Sequence, residues 1–367
     1  MNIDLINSIV DKLKYNKDIL KQFNVTLGFD GFIDVILRPI KKGNSLKVEN
    51  YFSEISELGH YLLYHSGKSC SIELKEFSSK IGGNTAIFGN ALYELGTNVT
   101  CIGAFGYPEI HPQFLELASK CNLVSVENPG TSLALEFLDG KVMLAMNNGI
   151  NNLSWDLIED RVGTDKLKSY YGKSDLICLL NWGELPFSTD IWNNLYENIL
   201  AHINNNKYIF IDFSNFSRKN KNQVRDLIKV ISKLHKKFNV IISLNENELK
   251  DLCNALDIDR RQSLEEIASK IMDTLGVYCL LFHFYKDCMV FSNRYFVKFD
   301  NLIIENPSIT TGGGDNFNAG FCIALLLGLN LSECLLVASL TASFYVKNGY
   351  SPSLDDLVSF IQNEILI

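Results

Sequence analysis

The 367-residue chain lacks any run of about 18 uninterrupted apolar residues, so no segment of it reads as a membrane-spanning helix. Its first twenty residues, MNIDLINSIVDKLKYNKDIL, place charge inside every apolar stretch and carry Asp4 early. That pattern excludes a secretory leader and makes a cytoplasmic protein the expectation. Basic residues are outnumbered, 34 Lys and Arg against 42 Asp and Glu, for a net charge of −8. No basic stripe offsets that balance, so nucleic acid is not expected as a partner, and Lys219–Lys221 reads as a solvated helix start. None of the nine cysteines stands in a Cys-x-x-Cys pair, and the six histidines show no ligand spacing. Buried thiols in a reducing compartment account for them better than disulfides or a metal cluster. Prolines number only seven, and no Pro/Gly/Ser-rich linker divides the chain. A complete Walker loop is also missing. Gly67-Lys68-Ser69 and Gly172-Lys173-Ser174 imitate its end, but the position five residues before each glycine holds Leu62 or Leu167.

What is present is an alternation of short apolar runs with amphipathic stretches. Strands are expected at Val25–Phe29, Val99–Ile102, Leu176–Leu180, Tyr208–Phe213, Val240–Leu244 and Val277–Phe282. Helix-patterned segments include Thr85–Leu95, Ile191–Ile203, Gln223–Lys236 and Ser263–Leu275, the last opening on a Ser263-x-x-Glu266 capping box. Another helix precedes the first strand, from Ile3, Ile6, Val10 and Leu13 at helical spacing. Repeated βα units with apolar strands predict a parallel sheet covered on both faces by helices. Two regions, 35–50 and 131–147, break the rhythm, and the second reads as a hairpin around Asp139-Gly140. The expectation is one α/β domain over 1–367 with a small β lid, residues 70–79 being a further lid candidate.

Chemistry concentrates at Gly312-Gly313-Gly314-Asp315. Consecutive glycines leave backbone N–H groups unobstructed, and Asn316–Leu327 carries a helical pattern, so a helix N-terminus should offer an anion site there. Asp315 in the first turn can accept a proton from an attacking hydroxyl, or can be an ordinary first-turn acid. Asp30 and Asp34 can likewise cap turns, and Glu248 can be a plain helix acid.

Thr311-Gly312-Gly313-Gly314-Asp315 with Phe317, Ala319 and Gly320 resembles the second signature of the ribokinase-like (PfkB-type) carbohydrate kinases. Asn245-Glu246-Asn247-Glu248 after an apolar strand resembles that family's Asn-x-x-Glu element. Gly82-Gly83-Asn84, followed by Leu95-Gly96 and Gly103-Ala104-Phe105-Gly106, resembles the first signature, and Gly28 through Asp34 resembles its first-strand sugar grip. These elements stand in family order across roughly residues 24–360.

The resemblance implies a three-layer α/β/α domain with a central, mostly parallel sheet and a small β lid. It also implies transfer of the γ-phosphoryl of ATP to a hydroxyl of a small sugar or polyol. Asp315 would be the base, and Thr311 with Gly312, Gly313 and Gly314 the anion hole. Asp34, Asp30, Gly82, Gly83 and Asn84 would bind the sugar, and Asn245 and Glu248 a water-bound Mg²⁺. Lys286 and Asn348 would touch the nucleotide, with adenine along Thr341–Asn348, and a homodimer would form through the lid strands. Departures are Ile309, where many relatives carry an Asp for an activating K⁺, and Ile87, where many carry an Asn. K⁺ activation is therefore not expected. A nucleoside acceptor, or a sugar-binding protein that has lost turnover, are the competing readings.

Overall fold

The computed structural model describes residues 3–41, 50–292 and 295–365. In those residues the strands are β1 (Asn24–Phe29), β2 (Phe32–Ile40), β3 (Glu73–Gly82), β4 (Asn98–Gly103), β5 (Asn122–Ser125), β6 (Gly130–Phe137) and β7 (Gly140–Met146). They continue with β8 (Leu176–Leu180), β9 (Tyr208–Asp212), β10 (Asn239–Leu244), β11 (Cys279–His283), β12 (Asp287–Ser292) and β13 (Tyr295–Asp300). Nine build one sheet in the order β13-β12-β11-β10-β9-β8-β1-β4-β5. All pairings from β11 to β5 are parallel, and β12 and β13 extend one edge antiparallel.

The apolar composition of the central strands follows from burial on both faces. Leu176, Cys178 and Leu180 of β8 join one core, and Ile177 and Leu179 join the other. Helices Asn84–Glu94, Gly313–Leu326 and Leu331–Asn348 cover the first core, while helices such as Lys221–His235 and Leu264–Leu275 cover the second. The fold is therefore three layers, α/β/α, as the alternation predicts. Gly313–Leu326 is apolar on nearly all sides because neighbours surround it. Gly320 permits its close approach to Leu331–Asn348, since a Cβ there would lie 2.5 Å from Thr341 Oγ1.

From β1 the strand order ascends through β8 to β11 on one side and through β4 to β5 on the other. Connections leaving the carboxyl ends of β1 and β8 thus diverge and open a crevice, the usual ligand position in such sheets.

A second sheet, β3-β2-β6-β7, begins immediately after the crevice residues Asp30 and Gly31. β6 and β7 form the hairpin, Phe137 opposite Gly140. Leu37, Phe52, Leu58 and Leu135 make a small core under this sheet. Of the stretch read from the sequence as 35–50, residues 42–49 lie outside the described residues. Edge strand β7 exposes Met143, Leu144 and Met146. The β12–β13 extension is absent from the sequence reading: β12 carries the short apolar run Cys288–Phe291, but β13 is mostly exposed and no helix intervenes to mark a βα unit. No helix among the described residues is long and apolar enough to cross a membrane.

Candidate active site

Each acid of the crevice follows a strand or opens a helix. Asp30 follows β1, Asp212 ends β9, Glu248 lies in the first turn after β10, and Asp315 in the first turn of Gly313–Leu326.

Gly312 is the N-cap of that last helix, with φ of +92°, a region only glycine occupies cheaply, and without a side chain to cap the first turn. A Cβ there would also lie 2.7 Å from Tyr345 Oη. The Tyr345 phenol donates to the Thr311 carbonyl at 3.0 Å and so braces the loop. Gly313 N–H donates to the Thr310 carbonyl at 3.3 Å, and the other first-turn N–H groups at the dipole's positive end suit a phosphoryl group. Asp315 Oδ1 is buried with no protein partner, and the Asn84 side chain bonds the same carboxylate. Burial, followed by the fields of Asp212, Asp30 and Glu248, pushes this carboxyl well above the usual range, and the Asn84 bond opposes the rise only weakly.

Asp34 projects from β2 opposite Lys80 on β3 and Ser132 on β6. Desolvation raises its carboxyl, and Lys80, Ser132 and Lys141 partly counter that. Gly82 accommodates it, since a Cβ at 82 would fall 2.6 Å from the carboxylate. Burial, and then the fields of Asp315 and Asp34, push the Tyr345 phenol up to about 12.

Asp30 departs from the expectation of a sugar contact. It is 0% exposed. Its carboxylate accepts the N–H groups of Asn84 and Thr85, both at 2.9 Å, the Thr85 hydroxyl, and the Asn181 amide at 2.7 Å. Every lone pair facing the crevice is engaged, so Asp30 anchors the helix Asn84–Glu94 and holds Asn84 toward Asp315. Gly83, at φ +84°, is needed at this anchor because a Cβ would lie 2.6 Å from Asp30 Oδ2.

Asn245 and Glu248 form a reciprocal cap. Asn245 Oδ1 accepts from the N–H of Asn247 (2.9 Å) and of Glu248 (3.0 Å), and Glu248 Oε2 accepts from Asn245 N at 2.9 Å. Burial and then Asp212 push the Glu248 carboxyl well above its ordinary range. Asp212, raised to about 6 by burial, is held by Asn318 Nδ2 at 2.7 Å and Ser214 N at 3.1 Å. The sequence reading missed Asp212; its signal was a single acid ending an otherwise apolar strand. No group of three acids, histidines or cysteines among the described residues sits close enough to chelate a cation directly. Two neighbouring hard carboxylates fit a Mg²⁺ held through water and phosphate oxygens.

A 510 Å³ cavity adjoins the glycines, lined by His283, Tyr285, Gly313, Gly314, Ser343 and Val346 among others. Two expected nucleotide contacts do not line it. Lys286 is exposed in the β11–β12 turn, and Asn348, also exposed, turns its amide back to Phe344 O at 2.9 Å. From the Thr341–Asn348 segment, the cavity takes Ala342, Ser343 and Val346. Ile87 packs against Gly312, its Cγ2 3.2 Å from where a Cβ would stand.

Comparison with known proteins finds sugar kinases among this chain's relatives. A family model described as prokaryotic ketohexokinase spans residues 11–364. The ketohexokinase of Haloferax volcanii is 25% identical over 339 residues, covering 92% of this chain and 90% of that protein. Thermotoga maritima ribokinase superposes with a TM-score of 0.65 at 16% identity, covering 93% of this chain and 99% of that one. Arabidopsis thaliana ribokinase complexed with ribose and ATP gives 0.62 at 17% identity, again over 93% and 99%. The Methanocaldococcus jannaschii nucleoside kinase gives 0.60 at 15% identity, over 94% and 99%. These solved structures establish the ribokinase fold. The family model, running almost end to end, establishes more: the chain belongs to the prokaryotic ketohexokinase family and is an ATP-dependent carbohydrate kinase.

Proposed function

We propose that this kinase phosphorylates a ketohexose, with Asp315 as the base and Mg²⁺ accompanying ATP. The observation that carries this reading is the Asp315 carboxylate. Its Oδ1 is buried without a partner, in the first turn of a helix whose N-terminus has no side-chain cap. A proton acceptor for a sugar hydroxyl needs that placement. The sugar class rests on the family's description and on the name of the Haloferax relative.

In this mechanism Asp34, with the Gly82–Gly83 backbone, orients the sugar. Asn84 holds Asp315, which takes the hydroxyl proton as that oxygen attacks phosphorus. The N–H groups of Gly312 and Gly314, and that of Gly313 on release from the Thr310 carbonyl it bonds at 3.3 Å, receive the negative charge of the transferring phosphoryl, so catalysis is positioning plus charge stabilisation. Glu248, Asn245 and Asp212 would hold Mg²⁺ through waters, where it supplies charge neutralisation for the phosphates. The second sheet, which carries Asp34 on β2, is the lid that excludes competing water. Mixing the protein and MgATP with ketohexoses, aldoses, ribose and adenosine tests the acceptor. ADP release should be fastest with one ketohexose; release with adenosine alone would move the assignment to a nucleoside kinase, and release with none would remove turnover.

Monovalent cations should not activate this enzyme. Ile309 has no ligand atom in its side chain, and the neighbouring Thr311 carbonyl already accepts the Tyr345 phenol. Replacing K⁺ by Na⁺ in a steady-state assay is expected to change kcat by no more than about twofold, roughly 0.4 kcal/mol of barrier. A tenfold loss without K⁺ would contradict this.

A further inference from the structure

His283 ends β11 at the edge of the cavity that adjoins Gly313 and Gly314. Its ring stacks on Phe317 with centroids 5.5 Å apart, and its Nε2 is 3.1 Å from where a Cβ of Gly314 would stand. Nδ1 lies 3.0 Å from Ser243 Oγ, Ser243 Oγ 2.7 Å from Asn318 Oδ1, and Asn318 Nδ2 2.7 Å from Asp212 Oδ2. The mechanism above uses only the Asp212 end of this chain of four side chains.

Donor and acceptor counting orients it. The Asp212 carboxylate accepts, so Asn318 turns its amide NH₂ there and its carbonyl toward Ser243. That carbonyl only accepts, so the single Ser243 proton goes to it. Ser243 Oγ must therefore accept from Nδ1–H of His283, leaving the lone pair on Nε2. A lone pair beside Gly314 faces the place where the N–H groups of the glycines would gather phosphate oxygens, and two acceptors there would repel.

We propose that His283 is a nucleotide-contacting residue that takes up one proton when the anionic nucleotide enters, its Nε2–H then donating to a phosphate oxygen beside Gly314. The Nε2 lone pair takes the proton from solvent, the ring passes from neutral to singly positive, and no other bond changes. Ser243 and Asn318 are positioning residues that keep Nδ1–H engaged in both states. Burial holds the ring at about 4 without a ligand, so the free site is neutral. One phosphate charge about 4 Å away is sufficient to bring such a ring into the neutral pH range. The groups packed against the ring are Ser243 from β10, Phe317 and Asn318 from the helix Gly313–Leu326, and Asp212 of β9 through Asn318. Asp315 lies in the same first turn, Tyr285 follows in the turn and bonds Glu246 through its N–H, and Glu305 lines the same cavity. The acids among these favour the protonated ring.

The inference rests on the cavity being the nucleotide site, and one experiment separates the two claims. Binding of the non-hydrolysable analogue AMP-PNP with Mg²⁺ is measured calorimetrically at pH 7 in phosphate and in Tris, whose ionisation heats differ. The wild type should take up roughly half a proton or more per nucleotide. H283Q should lose that uptake and bind about tenfold more weakly. S243A, which keeps the imidazole but removes its partner, should show reduced uptake and serves if H283Q does not fold. Equal heats in both buffers for the wild type, or uptake unchanged in H283Q, overturn the role of His283 while leaving the nucleotide site standing. No AMP-PNP binding at all overturns the site and this role together.

Discussion

Asp315→Asn is expected to lower kcat by about 10³-fold, the middle of the range for removing a positioned general base. The change is nearly isosteric, so the helix start and the bond to Asn84 can survive while basicity is lost. Sugar KM should move little, because binding is assigned to Asp34 and the Gly82–Gly83 backbone. The pH profile gives a second readout. Burial and three neighbouring acids raise the Asp315 carboxyl above the ordinary carboxylate range. The proton-accepting form is the ionised one, so wild-type kcat should rise with pH through that elevated pKa and fall below it. Bound Mg²⁺ would neutralise part of the acidic field and move the inflection downward. The residual rate of D315N should lack this acid limb. A D315N enzyme with wild-type kcat would remove Asp315 from the mechanism.

Asp30→Ala is expected to cost about 3–5 kcal/mol of unfolding free energy, read from urea denaturation, a large share of typical domain stability. The Asp30 carboxylate satisfies two N–H groups, one hydroxyl and one amide, all at the start of the helix Asn84–Glu94 or on Asn181. Alanine leaves those donors buried and unpaired, and each such group carries a desolvation penalty. Asp34→Ala should behave oppositely. Asp34 is only half-buried, and its removal also relieves the desolvation that raises its carboxyl. Its stability change should therefore be small, whereas sugar KM should rise by about ten- to a hundredfold, as for a lost hydrogen bond to a charged group. If the two variants exchanged phenotypes, the sugar ligand would be Asp30 and the anchor Asp34.

These two aspartates show where reading residues in order runs out. Both stand in GFDGFID, four positions apart, and each can cap a turn or bind a ligand. The fold separates them by sending β1 into the large sheet and β2 into the small one, with Asp30 left at the junction under a helix N-terminus. Lys286 and Asn348 lie off the cavity lining for a related reason. Segment position along a strand or helix was legible, but which side chains face the cavity depends on the helical turn and strand pleat that tertiary packing selects.

The sequence by itself determined the alternating strands and helices, the capped helix at Ser263, the hairpin at Asp139-Gly140 and the glycine loop with its first-turn acid. All of these are written in spacings of two to five residues, the range over which backbone periodicity, caps and turn chemistry act. Only the tertiary structure decided the partners of the acids. Asn318 reaches Asp212 across 106 positions of chain and Asn181 reaches Asp30 across 151. Such pairs leave no local pattern, because they meet only where strand ends and a covering helix converge at the crevice, and that meeting is set by the order of strands and the packing of helices on the sheet.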